Sequence, residues 1–326
     1  MTDTPILDVQ GLETHFFTKD GVAKAIDGVD FTVRKGEIMG LVGESGSGKS
    51  VTGFSILGLV DPPGKVVGGK VLFKGEDLLQ ASDKRMQNLR GDRISMIFQD
   101  PMMTLNPVLR VDTQMIETIQ AHEKVDKQTA WQRSRDVLAQ VGIPSPEERM
   151  RAYPHQFSGG MRQRVAIAIA LLNKPDLIIA DEPTTALDVT IQGQILYETQ
   201  KLCRETGTAM IWVTHDLAVV AGLADRISVM YAGRVVEQGD INDVLDNPVH
   251  PYTLGLLGSV PGHNTRGTRL YQVPGMAPSL FNLPKGCAFQ PRCEFATADC
   301  QQDQTITEPV PGRAVRCCHP QLEVSS

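Results

Sequence analysis

The feature that most constrains the fold is a glycine-rich segment near the N-terminus. Residues 43–50 read Gly-Glu-Ser-Gly-Ser-Gly-Lys-Ser and fit the pattern G-x-x-x-x-G-K-[ST] at every fixed position. The segment follows an apolar stretch, Ile38 to Val42, and precedes a predicted helix, Val51 to Leu59. Because this strand–loop–helix order favours a phosphate-binding loop over a chance glycine-rich turn, we expect an α/β nucleotide-binding domain.

The residues of this phosphate loop have distinct predicted roles. Its glycines let successive N–H groups turn toward phosphate oxygens. Lys49 is expected to reach the β- and γ-phosphates, and the Ser50 hydroxyl to ligate Mg²⁺. The predicted nucleotide-binding positions are Gly43, Glu44, Ser45, Gly46, Ser47, Gly48, Lys49 and Ser50.

Two further strand ends carry candidate catalytic residues. Leu177 to Ala180 is apolar and is followed by Asp181 and Glu182. The first carboxylate is expected beside the metal and the second against the attacking water. His215 follows another apolar stretch, Met210 to Thr214. Since the strand ends of a parallel sheet meet at one edge, we expect His215 to contact the γ-phosphate, although a purely structural histidine is the alternative.

The distribution of strand-like stretches, helical stretches and prolines along the chain predicts an α/β fold followed by an extension. Strand-like stretches alternate with helical ones, which indicates a largely parallel sheet covered on both faces and interrupted by a helical insertion. Ten of the twenty prolines lie between residues 240 and 326, where proline breaks regular structure. We therefore predict a nucleotide-binding domain over residues 1–240, with a helical subdomain at about 90–165, and a loop-rich extension over 241–326.

Composition narrows the classes of function. The 32 basic residues against 38 acidic ones give a net charge of −6, which disfavours sequence-independent nucleic-acid binding. The longest apolar runs, such as Val165 to Leu172, are far shorter than the roughly 20 residues of a membrane helix. The start of the chain, Met1 to Pro5, lacks the basic and apolar parts of a signal peptide. We expect a cytoplasmic chain whose membrane role comes through partners.

Several segments resemble motifs of the ATP-binding cassette (ABC) ATPases. Phe157-Ser158-Gly159-Gly160-Met161 resembles the family's signature, Gln99-Asp100-Pro101 its glutamine loop, and Thr185-Ala186-Leu187-Asp188 its D-loop. With the phosphate loop and the Asp-Glu strand end they occur in the family's order, over about residues 6–240. Phe157 and Met161 depart from the general LSGGQ form, whereas the serine and both glycines are intact.

The resemblance implies a RecA-like phosphate-loop core with an antiparallel β subdomain and a helical insertion. It also implies a head-to-tail pair of cassettes that holds ATP between the phosphate loop of one and the signature of the other. The signature residues Ser158, Gly159 and Gly160 then serve the partner's ATP.

Roles for individual residues are also implied by this resemblance. Glu182 corresponds to the general base, His215 to a γ-phosphate clamp, and Gln99 to a sensor of Mg²⁺ and water. The implied Mg²⁺ ligands are Ser50, Gln99 and Asp181, and Asp188 is the D-loop residue. An aromatic side chain that stacks on adenine is expected about 27 residues before the phosphate loop, where Phe16 is favoured over Phe17.

Other segments resemble dipeptide and oligopeptide permease ATPases in particular. These are Gln99 to Pro107, Tyr153 to Gln156, Met230 to Gly233 and His250 to Thr253. The resemblance implies the first of two ATPase subunits of a bacterial peptide importer, at the cytoplasmic face of the inner membrane. Its partners would be two membrane permease subunits, a second ATPase subunit and a peptide-binding protein. Nickel, glutathione and oligosaccharide importers share the subfamily, and a soluble ABC ATPase acting on DNA or ribosomes is a further alternative.

Five of the six cysteines are bunched near the C-terminus, at Cys287, Cys293, Cys300, Cys317 and Cys318. In a reducing compartment this favours a metal or cluster over disulfides. The spacing is wider than that of typical zinc pairs, and four thiolates from loops suit an iron–sulfur cluster; zinc and free or disulfide-linked thiols are the alternatives. Residues 286–293 resemble the C-terminal motif of peptide-importer ATPases, which implies a [4Fe–4S] cluster on Cys287, Cys293, Cys300 and Cys318, with adjacent Cys317 as the competing fourth ligand.

Overall fold

The computed structural model describes residues 4–184, 189–259 and 272–322, and these divide into two compact units. The first unit comprises residues 4–6, 33–38, 80–184 and 189–212. The second comprises residues 7–32, 39–79, 213–259 and 272–322. The division at residue 240 that the sequence suggests stays a prediction.

The described strands and helices have the following bounds. The strands are β1 (Leu7–Thr18), β2 (Gly21–Val33), β3 (Ile38–Val42), β4 (Gly64–Phe73), β5 (Glu76–Asp77), β6 (Ile94–Ile97), β7 (Leu177–Asp181), β8 (Ala209–Thr214), β9 (Arg226–Tyr231), β10 (Arg234–Asp240), β11 (Thr307–Val310) and β12 (Arg313–Val315). The helices are α1 (Lys49–Leu57), α2 (Asp83–Leu89), α3 (Val111–Gln120), α4 (Lys127–Gln140), α5 (Pro146–Met150), α6 (Gly159–Leu171), α7 (Val189–Thr206), α8 (Leu217–Leu223), α9 (Ile241–Asp246) and α10 (Pro251–Gly258).

The first unit combines short buried strands with a group of helices. Strand β6 pairs with β7 in parallel, from Ile94 opposite Leu177 to Ile97 opposite Ala180, and β8 lies on the other side of β7. Helix α4 packs against α3, α5 and α6. Helix α4 begins at Lys127 because the Asp126 carboxylate caps its first turn. All five residues of β7 are buried, which suits a strand covered on both faces.

The second unit contains two groups of strands. One runs in the order β2-β1-β4-β5, with antiparallel pairing of β1 with β4 and of β4 with β5. The other runs β11-β12-β10-β9-β3, in which β3 and β9 are parallel. Strand β10 instead lies antiparallel to β9, because Ala232 and Gly233 both adopt positive φ and form a two-residue hairpin turn. The predicted parallel arrangement therefore holds for β3 and β9 and ends at this hairpin.

A buried carboxylate fastens the C-terminal part of this unit. Glu237, in β10, accepts hydrogen bonds from the backbone N–H groups of Val249 and His250, both at 2.9 Å. It also accepts one from Arg313 Nη1 of β12 at 2.8 Å. The His250 Nδ1 atom in turn accepts the Tyr252 N–H at 3.0 Å and so caps α10. The loop-rich residues after 240 are thus held by specific polar contacts.

Within the described ranges, we find no helix long and apolar enough to cross a bilayer.

Candidate functional site

The phosphate loop has the backbone conformation that its glycines require. It leaves the fully buried strand β3 and enters α1 at Lys49. Gly43, Gly46 and Gly48 have φ of 153°, 79° and 103°, values that residues with a Cβ atom rarely adopt. A Cβ atom at Gly43 would lie 2.2 Å from the Met230 carbonyl oxygen, and one at Gly48 would lie 2.4 Å from that of Ala25. Only glycine therefore fits these two turns.

The polar groups of the loop converge on its interior. The Lys49 side chain is only 5% exposed, and its ammonium donates to the carbonyl oxygens of Gly43 at 2.8 Å and Glu44 at 3.0 Å. The Gly233 N–H donates to the Ser47 carbonyl at 2.9 Å, which ties the loop to the β9–β10 turn. Among the described residues, the buried Ser47 hydroxyl has no hydrogen-bond partner. An orphaned hydroxyl beside a held ammonium fits a loop that encloses an anion.

The helix that follows is also suited to an anion. Gly48 is the N-cap of α1, and no side chain caps the helix there. The N–H groups of the first turn and the positive end of the helix dipole are therefore not covered by a capping side chain. Ser50 lies within this first turn, where the sequence predicted a Mg²⁺ ligand.

Glu44 connects the phosphate loop to two residues for which the sequence analysis predicted no contact with this loop, Tyr252 and Arg292. Its backbone N–H donates to the Tyr252 hydroxyl at 2.9 Å. Its carboxylate accepts two hydrogen bonds from Arg292, Nη1 to Oε2 at 2.7 Å and Nη2 to Oε1 at 3.0 Å. Arg292 directly precedes Cys293, and the one signal for it is a charged residue inside a cysteine motif.

In the first unit, the structure brings the predicted base and the glutamine loop together. Asp181 is the last, buried residue of β7, and Glu182 follows it. The Gln99 Nε2 atom donates to Glu182 Oε2 at 3.4 Å. Glu182 has a φ of 43°, an unfavourable value for a residue with a side chain. Such a conformation is typical of functional positions, because the surrounding structure must hold it in place.

The predicted signature residues begin helix α6 of the same unit. Ser158 is its N-cap, and the Ser158 hydroxyl accepts the Met161 N–H at 3.3 Å. Ser158 and Gly159 are exposed and Gly160 is half-buried. A Cβ atom at Gly159 would meet open space. The motif therefore presents a serine-capped helix N-terminus whose first residues are exposed, a position that suits a phosphate.

The remaining predicted nucleotide positions lie in the second unit or outside the described residues. His215 belongs to the second unit, is exposed and directly follows β8. Phe16 lies in β1 opposite Gly64 and is half-buried, whereas the neighbouring Phe17 is 49% exposed. The D-loop residue Asp188 lies outside the described residues. The roles of these residues stay predictions.

The C-terminal cysteines line one cavity in the second unit. Its walls include Cys287, Cys293, Cys300, Cys317 and Cys318 together with His250 and Phe289. All five thiols are free, and the sulfurs of Cys300 and Cys318 are 3.5 Å apart, too far for the bond of about 2.05 Å in a disulfide. The ligand atoms of Cys300, Cys318 and His319 all lie within 4.8 Å of one another.

The electrostatics of this cavity fit a bound cation. Burial raises the pKa of Cys317 to about 12 and that of Cys318 to about 11, and it also raises the pKa values of Cys287 and Cys293. Neighbouring thiolate charges raise all four further. A metal would remove this penalty, because metal binding displaces the thiol protons. The donor set therefore fits a thiophilic metal or a cluster, and His319 is a candidate ligand that the sequence argument did not count.

A glycine lets the cysteine segments meet. Gly286 has a φ of 75°, and a Cβ atom there would lie 2.3 Å from the Cys300 carbonyl oxygen. The next residue, Cys287, donates its N–H to that same oxygen at 2.8 Å. Gly286 thus permits the close approach that brings Cys287 and Cys300 to one cavity.

Comparison with protein families gives two matches along the chain. Residues 26–185 match the family described as ABC transporter. Residues 236–300 match the family described as oligopeptide/dipeptide transporter, C-terminal region. The first match includes the phosphate loop and the Asp181-Glu182 strand end, and the second includes three of the cavity cysteines.

Full-length relatives share about half of the residues. The oligopeptide transport ATP-binding protein OppD of Escherichia coli is 48% identical over 98% of this chain and 94% of its own length. The dipeptide transport ATP-binding protein DppD of Bacillus subtilis is 51% identical over 91% of this chain and 89% of its own.

Solved structures of ATP-binding cassettes share the fold. The dimeric cassette MJ0796 in a post-hydrolysis state, bound to ADP and Pi, superposes with a TM-score of 0.66 at 27% identity, over 72% of this chain and 98% of its own. CbiO1 of Clostridium perfringens, part of the transporter complex cbiONQ, gives a TM-score of 0.64 at 29% identity, over 74% and 91%.

Proposed function

The chain belongs to the ABC transporter family, and on that premise we propose that it is the ATP-binding and ATP-hydrolysing subunit of a peptide importer. The observation that carries the ATP site is the phosphate loop with its positive-φ glycines, its buried lysine and its Ser47 hydroxyl, which has no partner among the described residues. The match at the C-terminal region and the names of the full-length relatives support peptides as the cargo.

ATP binding follows from the chemistry of this loop. The amides of residues 43–50 surround the β-phosphate, and Lys49 exchanges its carbonyl partners for phosphate oxygens. Ser50, Gln99 and Asp181 would hold Mg²⁺, which supplies charge neutralisation on the β- and γ-phosphates. Phe16 stacks on adenine in this proposal, and His215 contacts the γ-phosphate.

Hydrolysis requires a base beside the attacking water. We assign this role to Glu182, whose carboxylate is within hydrogen-bonding reach of Gln99 at 3.4 Å. Gln99 orients the carboxylate and the water.

Transport requires partners that the chain itself does not supply. A second cassette closes head to tail on this one, so that Ser158, Gly159 and Gly160 contact its ATP and Asp188 lies at the contact. Two permease subunits and a peptide-binding protein complete the importer, with this chain peripheral at the cytoplasmic face of the membrane. Nucleotide binding closes the pair and hydrolysis opens it, which converts ligand affinity into a conformational cycle.

The C-terminal cysteines form the second site of the proposal. Cys287, Cys293, Cys300 and Cys318 would hold a [4Fe–4S] cluster, which would supply a rigid cross-link between the segments that carry these cysteines. The test is anaerobic purification, which should give brown protein with iron, sulfide and a broad band near about 400 nm, a general property of such clusters. Folded protein that contains zinc, or that lacks both iron and sulfide, would contradict the cluster.

The catalytic assignment is tested by Glu182→Gln. This variant should bind ATP like the wild type and lose at least about 100-fold in ATPase rate, because a general base contributes about 10²–10⁴-fold. Glu147→Gln is the matched control, since Glu147 is an exposed carboxylate of the same unit. Persistent turnover by purified Glu182→Gln protein would remove Glu182 from this role.

Co-purification of permease subunits tests the importer assignment, and recovery of ribosomes or DNA instead would contradict it.

A further inference from the structure

The C-terminal segment reaches the phosphate loop through one side chain. Arg292 forms a bidentate ion pair with Glu44, at 2.7 and 3.0 Å, and the two residues are 248 positions apart in the sequence. The Arg292 side chain is 6% exposed and that of Glu44 30%. Paired hydrogen bonds between a guanidinium and a carboxylate fix distance and orientation together.

Arg292 is itself held rigidly. Its Nε donates to the Pro274 carbonyl at 2.7 Å, and Nη1 also donates to the Tyr231 hydroxyl at 3.2 Å. The guanidinium carbon lies 5.8 Å from the ring centre of Tyr231 and 5.9 Å from that of Phe289. The Glu44 hydrogen bonds raise the pKa of Arg292 beyond its usual range, against the effect of burial, so the side chain stays charged.

Arg292 lies in the turn between Cys287 and Cys293, which both line the cavity. Gln290 donates its N–H to the Cys287 carbonyl, Arg292 to that of Phe289, and Cys293 to that of Gln290. The same Phe289 side chain lines the cysteine cavity. A metal bound by Cys287 and Cys293 would pin both ends of this turn, and loss of that metal would release them.

The ion pair between Arg292 and Glu44 affects nucleotide binding because Glu44 carries a negative charge beside the expected phosphates. The carboxylate belongs to the second residue of the loop that receives phosphates. An unpaired carboxylate there would repel a polyphosphate, whereas the paired Arg292 cancels its charge. The Tyr252 hydroxyl, which accepts the Glu44 N–H, holds the backbone of the same residue.

We propose that Arg292 is a positioning residue of the nucleotide site, which neutralises and orients Glu44 and thereby transmits the state of the cysteine cavity to the phosphate loop. The inference rests on the proposed ATP-binding function. By thermodynamic linkage, nucleotide binding must stabilise the metal-bound cavity by the same factor by which the metal improves nucleotide binding.

The first experiment measures the Kd of a fluorescent ADP analogue, which binds without being hydrolysed. Arg292→Gln should raise this Kd by about fivefold or more, the lower end of typical coupling between sites. Adding Glu44→Gln to Arg292→Gln should restore the Kd to near the wild-type value, since no unpaired carboxylate remains. Arg292→Lys keeps the charge but loses the bidentate geometry, and its Kd should lie between those of the wild type and Arg292→Gln.

The matched control is Arg313→Gln, which breaks another buried ion pair of this unit. Arg313 contacts Glu237 and the carbonyls of Asp243 and Asn247, so its loss should lower stability without changing the Kd. An unchanged Kd in both Arg292→Gln and Arg292→Lys would overturn the inference, and so would a double variant that binds as weakly as Arg292→Gln. If the wild-type chain binds no ADP, the proposed function fails instead.

The second experiment tests the link to the cysteines. Cys293→Ser should raise the ADP Kd in the wild-type background and add nothing in the Arg292→Gln background, because both changes act through one contact. Iron and zinc content, measured on the same samples, should fall in Cys293→Ser and stay unchanged in Arg292→Gln. Equal effects of Cys293→Ser in the two backgrounds, or no effect in the wild type, would overturn the link.

Discussion

Glu237→Gln is expected to destabilise the second unit more than any exposed substitution of similar chemistry. Glu237 is fully buried and accepts three hydrogen bonds, one of them from the 4%-exposed side chain of Arg313. Glutamine has nearly the same shape but only one acceptor oxygen, so its amide group must face an N–H donor. The change also leaves the Arg313 charge buried without a counterion.

The magnitude follows from this loss of a buried partner. Breaking a buried ion pair by removing one member costs about 3–5 kcal/mol in the free energy of unfolding. At about 2 °C per kcal/mol for a chain of this size, the melting temperature should fall by about 6–10 °C. Removing both charges in Glu237→Gln with Arg313→Gln should cost less than the sum of the single changes, because no lone charge remains buried.

The assay is thermal unfolding followed by circular dichroism, with urea titration as a second measure. Glu147→Gln serves as the control: its carboxylate is 59% exposed and 3.8 Å from Arg135, so the change should cost no more than about 0.5 kcal/mol. The reasoning would be refuted if the melting temperature of Glu237→Gln lay within about 2 °C of the wild-type value and the urea titration gave a loss below about 1 kcal/mol in the free energy of unfolding. The Glu237–Arg313 contact would then not stabilise the C-terminal hairpin as proposed.

Two further predictions concern the phosphate loop and acid stability. Gly43→Ala should abolish detectable ADP binding, because its Cβ would lie 2.2 Å from the Met230 carbonyl oxygen, whereas Gly222→Ala, whose Cβ meets open space, should bind normally in the same titration. Burial alone would raise the pKa of Asp27, but Arg234 and Lys24 outweigh burial and hold this pKa below the ordinary value of 3.8. The stability from Asp27 is therefore present above that value and lost as the pH falls through the lowered pKa. Asp27→Asn should flatten this part of the acid-unfolding curve, and an unchanged curve would contradict the assignment.

The sequence predicted those parts of the fold that local pattern determines. Apolar runs located β3, β7 and β8 to within one residue, because a buried strand needs an uninterrupted apolar stretch. The place of the phosphate loop between β3 and α1 was predicted, since its glycines act through neighbouring backbone, whereas the roles of Lys49 and Ser50 stay predictions. The direction of β10 could have been inferred from the Ala232-Gly233 turn, which favours a hairpin over a parallel crossover.

The contacts of Glu44 could not be predicted, for a physical reason. Hydrophobic periodicity indicates which face of a helix or strand is buried, but it does not indicate which charged residues, distant in the sequence, form an ion pair. Arg292 and Tyr252 are 248 and 208 positions from Glu44, and neither belongs to a pattern that selects a partner. The same holds for the Glu237–Arg313 pair, which reads in the sequence as two ordinary surface charges.

The buried Glu237–Arg313 pair and the partly buried Glu44–Arg292 pair hold the C-terminal residues in a similar way. Glu237 and Arg313 hold the final hairpin on β10, and Arg292 holds the cysteine turn on the phosphate loop. A segment rich in proline and poor in helix and strand has few backbone contacts with which to keep a fixed position. The bidentate contact of Arg292 supplies such a position from a side chain, and a metal held by the cysteines would supply a second one. On the proposed coupling, the cysteine cavity would stabilise the nucleotide site without any electron transfer, so the Kd of ADP, and not a redox potential, is the quantity that tests it.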